Sequence, residues 1–428
     1  MIKTIEPTVK MYDEDPYATT FQGSVVAVFE LTDSIKESVD SGLSTDGNEY
    51  VQLDIVLDRT IFFPEEGGQY SDTGTMTIVG HEYNIVHVKL EQTEQGDVIH
   101  HMTAPIAKAE TKSIDIQEYV GQTATGSINW HERYDKMQNH SGEHILSGII
   151  HIEYGYDNVG FHLNDEVFTM DFNGTFTREQ IEHIESRANS IVYENVPIEG
   201  RYYEGAELSA IPYRSKKTFD TAVRIVTVGD YDACACCAPH VRYTGEIGII
   251  KIMKAESWKG GTRFTVVCGE RAYRDYARKQ QLLQAMASQF STSEEKLLDI
   301  IDGMKKSVAR AEYELSLHQT ESLYKELIGS AEDTSHTPVI VFTDMDNAGA
   351  IRNAVDKAMS EWPECVFGAM SGDDESGYRY LIGSRNVDVK ATVSETIATL
   401  GGKGGGNKDM IQGMLKATKE QIVGQLLK

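Results

Sequence analysis

The chain has 428 residues, too many for one ordinary core and enough for roughly two to four domains. Its apolar share of 40% and charged share of 25% are those of a soluble globular protein, and no apolar run is long enough to span a membrane. A net charge of −26 argues against a broadly basic nucleic-acid groove, leaving only local positive runs at residues 214–217, 251–254 and among the lysines of 403–428.

In chain order, residues 1–90 read as β-rich. Segments 21–30, 50–57 and 75–79 alternate in polarity between turn signals, which predicts a small β-barrel or sandwich. Within them lies Thr60-Ile-Phe-Phe-Pro-Glu-Glu-Gly-Gly-Gln-Tyr-Ser-Asp-Thr-Gly74, where Gly67 and Gly68 permit close backbone approach to a ligand. A plain hairpin turn is the simpler reading of those glycines.

Residues 91–270 mix helical and strand patterns, an α+β arrangement. The spacing predicts a helix over 133–150, a second near 177–194, and strands at 222–228, 247–252 and 262–268. Residues 271–330 are polar and Gly-poor, with Leu297, Ile301, Met304, Val308, Ala311 and Leu315 at spacings of four and three. That pattern predicts a helical hairpin or short coiled coil, acting as a spacer or a dimer seam. Residues 331–428 read as a separate α/β domain, with a glycine-rich loop at 401–408 and a closing helix over 414–427. The loop lacks the P-loop spacing, but its backbone amides, Lys403 and Lys408 are suited to a phosphate backbone.

Two strings carry the chemistry. In His140-Ser-Gly-Glu-His144 the imidazoles stand at i and i+4 on one helix face. In Cys236-Cys-Ala-Pro-His240 a thiolate and an imidazole repeat that spacing. Together they make a nitrogen/sulfur zinc site, with Cys234 and Cys237 as rival thiolates. Five cysteines, three of them crowded at 234–237, favour a metal or free thiols over disulfides. The first string alone also fits an inverted zinc-peptidase signature with Glu143 as the base. Four protein ligands leave no obvious open position, which favours an organising zinc. A structural zinc in a non-catalytic RNA-binding protein is the third reading.

The combination resembles the editing domain of alanyl-tRNA synthetase and the free-standing alanyl-tRNA editing proteins. The resemblance rests on the His140/His144 helix, Cys236-x-x-x-His240-Val241, the Thr60–Gly74 loop, Thr244-Gly-Glu-Ile-Gly-Ile-Ile and Gly401-Gly-Lys-Gly-Gly-Gly, in the family's order. It implies hydrolysis of mischarged tRNA(Ala), chiefly Ser-tRNA(Ala) and also Gly-tRNA(Ala). It implies zinc on His140, His144, Cys236 and His240, and a Thr60 contact to the serine hydroxyl. Gln69 would sit near the reacting ester, and Glu143 would act as a base or hydrogen-bond a ligand. A C-terminal domain would grip the tRNA with Lys403 and Lys408. The loop departs from the family's usual form in having Glu66 where a glycine is common. Nothing in the chain resembles a class II activation module, so a trans-acting, cytoplasmic proofreader is expected. With the helical segment as its seam, a homodimer is expected too. The expected fold is multidomain α+β: barrel 1–90, zinc-containing editing domain 91–270, helical spacer 271–330 and C-terminal α/β domain 331–428.

Overall fold

Period-two burial builds the first layer of the chain. In the strand Tyr50–Leu57, every second residue, Val51, Leu53, Ile55 and Leu57, joins the barrel core, while Asp54 and Val56 between them are buried as well. In His81–Thr93 the alternation shifts phase at an irregularity between Ile85 and His87, so Tyr83, Ile85 and Val88 all face the core. Six antiparallel strands close into a ring in the order Thr20–Leu31, Thr123–Ile128, Gly74–Ile78, His81–Thr93, Gly96–Thr103 and Tyr50–Leu57, and the last pairs back onto the first. The short strand Ile106–Ala107 adds to Tyr50–Leu57. Ring closure therefore recruits two strands, Gly96–Thr103 and Thr123–Ile128, from beyond residue 90, where the sequence pattern placed the next domain. Phe21 pairs with Gly126, a partner that local periodicity does not encode.

The structure, a computed structural model, describes residues 5–31, 50–107, 116–215, 222–333 and 338–427. Lys216, Lys217 and Lys428 of the basic runs lie outside the described residues. The chain divides into two compact units, residues 1–282 and 283–428.

In the first unit, the barrel is followed by the helix Trp130–Tyr154. Asn129 caps its first turn by accepting from Glu132 N–H, and Gly155 ends it at a φ of 68°. Next comes the four-stranded antiparallel sheet Asn158–Leu163, Phe168–Phe172, Gly261–Cys268 and Ile250–Trp258. The helix Arg178–Glu194, started by a Thr177/Gln180 capping box, packs against Trp130–Tyr154. A three-stranded sheet, Ile198–Tyr203, Val223–Val228 and Asp232–Ala235, completes the unit. Close approach to the long helix depends on Gly148, where a Cβ would stand 2.3 Å from the Tyr231 carbonyl. Only glycine lets the turn before Asp232 sit there.

The second unit begins within the helical region. The chain forms helices Gly269–Gln289 and Leu297–Asp333. Of the expected seam, Leu297 is buried, whereas Met304, Val308 and Leu315 are exposed. The last turns of the second helix are not spacer: Leu323, Tyr324 and Leu327 are buried with Val339, Val341 and Phe367 in the C-terminal core. That core flanks a five-stranded sheet in the order Val339–Thr343, Phe367–Asp373, Gly377–Gly383, Met410–Leu415 and Lys403–Gly406. The first pair is parallel and the rest antiparallel. Helix Ala348–Glu361 contributes to one core cluster, and helices Val389–Thr399 and Lys419–Leu426 to the other.

Two expectations for this unit are corrected. The glycine-rich segment is not a loop throughout: Lys403–Gly406 is an edge strand paired with Met410–Leu415 in register from Lys403↔Met414 to Gly406↔Ile411. A Cβ at Gly404 would lie 2.2 Å from the Gln412 carbonyl and 2.3 Å from the Tyr380 hydroxyl, so glycine serves close strand packing. The helix expected over 414–427 starts only at Lys419, where Thr418 and Gln421 form a capping box. Residues 410–415 alternate in burial and complete the sheet instead.

Candidate metal centre

The helix Trp130–Tyr154 presents His140 and His144, both buried, on the face predicted by their spacing. The turn after strand Asp232–Ala235 brings Cys236 and His240 to the same place. One donor atom from each of the four lies within 4.8 Å of every other. Cys236 Sγ is 3.3 Å from His240 Nε2 and 3.6 Å from His140 Nε2. Cys234 stands apart from this set, grouped instead with His144 and Asp232.

Each imidazole is oriented from behind. His140 Nδ1–H donates to Gln69 Oε1 at 2.8 Å, and His144 Nδ1–H donates to Asp232 Oδ2 at 2.9 Å. His240 Nδ1 pairs with Ser141 Oγ at 3.0 Å. Asp232 is itself held by Arg214, whose Nε and NH2 reach its two oxygens at 2.7 and 2.8 Å. With Nδ1 engaged, each ring offers Nε2 to the centre, the arrangement that orients metal-bound histidines. Sequence spacing identifies none of these partners; the family resemblance names Gln69, but beside the reacting ester. The signals that existed were a lone Asp and a serine inside the first string.

Electrostatics separate the three neighbouring cysteines. Burial works against charging Cys236, yet the imidazoles of His140 and His240 hold its thiol well below the ordinary range. Burial pushes Cys234 up to about 11. Burial first, then the charges of Cys236 and Glu66, hold Cys237 well above its usual value. Burial also lowers His240 to about 3, keeping it neutral. Burial opposes charging His144 too, but Asp232 and Cys236 make it more basic than an ordinary histidine. Of the three, only Cys236 is shifted toward the thiolate, while Cys234 and Cys237 are shifted toward the thiol.

The loop after Thr60 is tied to the ligand helix. Arg133, fully buried, donates through Nε to Asp72 Oδ1 and Oδ2 at 3.0 and 3.1 Å and through NH2 to the Ile61 carbonyl at 2.6 Å. Gly68, at a φ of 86°, passes so close to strand Asn158–Leu163 that a Cβ would sit 2.7 Å from the Phe161 carbonyl. Its own carbonyl accepts from Leu163 N–H at 2.9 Å. This fixes Gln69 against His140. The Cys236–His240 turn is held likewise by Arg224, whose NH1 donates to the Cys236 and Ala238 carbonyls at 3.1 and 2.9 Å.

A cavity of about 1460 Å³ opens onto this cluster, lined by Glu66, Gly67, His140, Glu143, His144 and Cys236 among others. Glu143 Oε1 accepts from Ser147 Oγ at 2.5 Å and Asn158 Nδ2 at 2.6 Å, while Oε2 lies 3.9 Å from His144 Nε2. Gln69 is fully buried, and its Nε2 has no partner among the described residues. Thr60 lies inside the barrel. It is fully buried, it is not among the cavity-lining residues, and its hydroxyl accepts from Phe62 N–H at 3.1 Å. The hydroxyl also lies 2.9 Å from Nε2 of His101, whose Nδ1 pairs with the Ile55 carbonyl. With Nδ1–H donated to that carbonyl, His101 Nε2 takes the Thr60 proton, leaving none for a substrate. Lys403 and Lys408 belong to the other unit, exposed and without an ion-pair partner among the described residues.

Comparison with known proteins agrees with this layout. The family model described as threonyl and alanyl tRNA synthetase second additional domain matches residues 223–264. The DHHA1 domain matches residues 336–428. The model described as tRNA synthetases class II (A) matches residues 4–130, a likeness the sequence reading did not see; its residues contain the strands of the barrel. Among known relatives, alanyl-tRNA editing protein AlaX-L of Pyrococcus horikoshii is 26% identical over 428 residues, covering 96% of each chain. The alanine–tRNA ligase of Ignicoccus hospitalis is 26% identical over 420 residues, 94% of this chain but 41% of the ligase. That of Hyperthermus butylicus is 27% identical over 427 residues, again 94% of this chain and 42% of the ligase. The chain thus spans about two fifths of the ligases it matches. Along nearly its whole length, the chain resembles the alanyl-tRNA editing proteins and the corresponding portion of the alanine–tRNA ligases.

Proposed function

We propose that this chain is a zinc-containing hydrolase that deacylates mischarged tRNA(Ala), chiefly Ser-tRNA(Ala) and also Gly-tRNA(Ala). The observation that carries the reading is the four-donor cluster opening onto a cavity beside the Gly67–Gln69 turn. Zinc–nitrogen and zinc–sulfur bonds of about 2.0–2.3 Å imply donor separations of roughly 3.3–3.8 Å in a tetrahedron. The separations of 3.3 and 3.6 Å from Cys236 Sγ fit that range. His140, His144, Cys236 and His240 would hold the ion, which when bound supplies a fixed positive charge beside the scissile ester. The cavity exceeds the roughly 300–1,000 Å³ typical of small-molecule pockets, which suits an acylated terminal adenosine.

Gln69 acts in this reading as a positioning residue through His140; it is fully buried behind the cavity wall, so it works on the site through that histidine. A site that hydrogen-bonds a hydroxyl rejects the analogue lacking it, which spares Ala-tRNA(Ala). Glu143 faces the cavity with one oxygen anchored by two donors, the placement of an oriented carboxylate able to take a proton from water through Oε2. The zinc-peptidase alternative needs a glutamate as third ligand. Cys236 and His240 occupy that part of the cluster instead. In the C-terminal domain, exposed Lys403 and Lys408 would contact the tRNA backbone.

The purified protein is to be mixed with Ser-tRNA(Ala) and Ala-tRNA(Ala). Release of serine at least about tenfold faster than alanine is expected, given the penalty for an unfilled polar site. Equal rates, or no release from either, would falsify the proposal.

A further inference from the structure

The loop residue that departs from the usual glycine, Glu66, lines the same cavity as His140, His144 and Cys236. Its backbone is fixed on both sides: Glu66 N–H donates to the Gln69 carbonyl at 3.2 Å, and Gln69 N–H donates back to the Glu66 carbonyl at 3.1 Å. The following Gly67, at a φ of 64°, packs against Cys237, with Sγ 3.4 Å from where a Cβ would stand. The carboxylate is therefore set in place by the same turn that aims Gln69 at His140.

Its Oε2 is shielded from solvent and has no hydrogen-bond partner among the described residues. The neighbouring Cys237 offers only a thiol, a weak donor that does not neutralise a carboxylate. The lysine and arginine side chains lining the cavity are already engaged. Lys10 is bonded to Asp97 at 2.7 Å, Arg214 holds Asp232, and Arg224 serves the Cys236 and Ala238 carbonyls. Lys10 feels the charge of Glu66 but gives its hydrogen bond to Asp97, so the shielded oxygen has no direct ionic partner, which is costly unless something positive arrives. An aminoacyl ester carries its positive charge on the α-ammonium, two bonds from the carbonyl carbon to be attacked.

We propose that the Glu66 carboxylate receives the α-ammonium group of the esterified amino acid and so orients its carbonyl toward the metal centre. Glu66 is a substrate-positioning residue in this inference, which rests on the editing reading above. It also predicts that substrates with a blocked or missing amine are rejected, whatever their side chain.

The test uses two non-hydrolysable probes, 3′-deoxy-3′-serylamido-adenosine and its counterpart lacking the amine, titrated calorimetrically into the full chain near pH 6.5, about a unit below the usual α-amine value. Wild type is expected to prefer the amine-bearing probe. Glu66→Gln should weaken that probe by about ten- to a hundredfold, the worth of a hydrogen bond to a charged group, and leave the other unchanged. Zinc content and the unfolding midpoint report that the variant is folded. If Glu66→Gln does not fold, Glu66→Asp serves, with a partial loss on the amine-bearing probe alone. Equal binding of the two probes by wild type, binding of neither, or parallel losses on both in the variant overturns the inference. Deacylation of Ser-tRNA(Ala) is measured separately. Its absence would remove the editing reading, while the paired binding comparison would still decide the role of Glu66.

Discussion

Gln69 Oε1 accepts a hydrogen bond from His140 Nδ1–H at 2.8 Å, joining a barrel loop to a ligand on the long helix. The contact spans 71 positions of sequence and is fully buried. Replacing Gln69 with Leu leaves His140 free to turn and its Nδ1–H unpaired. The expected result is a zinc affinity lower by about 10–100-fold, as for other outer partners of metal ligands. Competition with a chromophoric chelator measures it, and unchanged affinity would remove the positioning role.

The cysteines provide a second test. Cys236→Ala should abolish stoichiometric zinc, whereas Cys234→Ala and Cys237→Ala should retain it, because burial holds those two as thiols. Elemental analysis of the three purified variants decides this. A zinc-replete Cys236→Ala protein would revive the peptidase reading.

Asp72 and Arg133 form a buried pair, 1% and 0% exposed, with Arg133 also bonding the Ile61 and Pro16 carbonyls. Asp72→Ala leaves a buried guanidinium without its anion. A loss of about 3–5 kcal/mol in denaturant-induced unfolding is expected, the usual effect of breaking such a pair from one side. A change below 1 kcal/mol, on the order of an exposed ion pair, would mean the pair is not a structural tie.

His101 connects stability to pH. Burial, against the pull of its bond to the Ile55 carbonyl, lowers it to about 4 from 6.5. A lowered folded value means the unfolded chain takes up the proton first. The contribution is present above pH 6.5 and is lost as pH falls through 4, amounting to about 3 kcal/mol across that window. His101→Gln should flatten the stability–pH slope there by up to one proton. An unaltered slope in equilibrium unfolding would show that His101 is not the group responsible.

Lys403 and Lys408 are exposed in the C-terminal unit. The double replacement with Ala should weaken tRNA binding and lower the salt dependence by about one per lysine contacting phosphate. Filter binding across a salt series checks it. Zinc content should not change, because the metal cluster lies in the other unit.

Local pattern carried much of the architecture. The alternation at residues 50–57 and the helical spacing around His140 appear in the structure as the strand Tyr50–Leu57 and the helix Trp130–Tyr154. The second helix begins where its capping residue Thr177 stands. Pattern misled where glycine and helix formers share a segment. Residues 401–415 contain six glycines and good helix formers, yet they fold as a hairpin edge because Gly404 and Gly413 allow the backbones and Tyr380 to meet. The apolar spacing from Leu297 to Leu315 specified a helix but not what covers its stripe.

By itself the sequence determined the two donor pairs, since an i,i+4 spacing is a local property of a helix and of a short turn. It also determined the family resemblance, which needs only motifs in order. The tertiary structure alone decided which atoms stand behind the ligands, because Gln69, Asp232 and Ser141 reach His140, His144 and His240 across 71, 88 and 99 positions. It decided that Thr60 meets Phe62 N–H and His101 inside the barrel, and that Cys236 rather than its neighbours is shifted toward the thiolate. Those outcomes depend on burial and on charges brought together by folding, and no local periodicity encodes either.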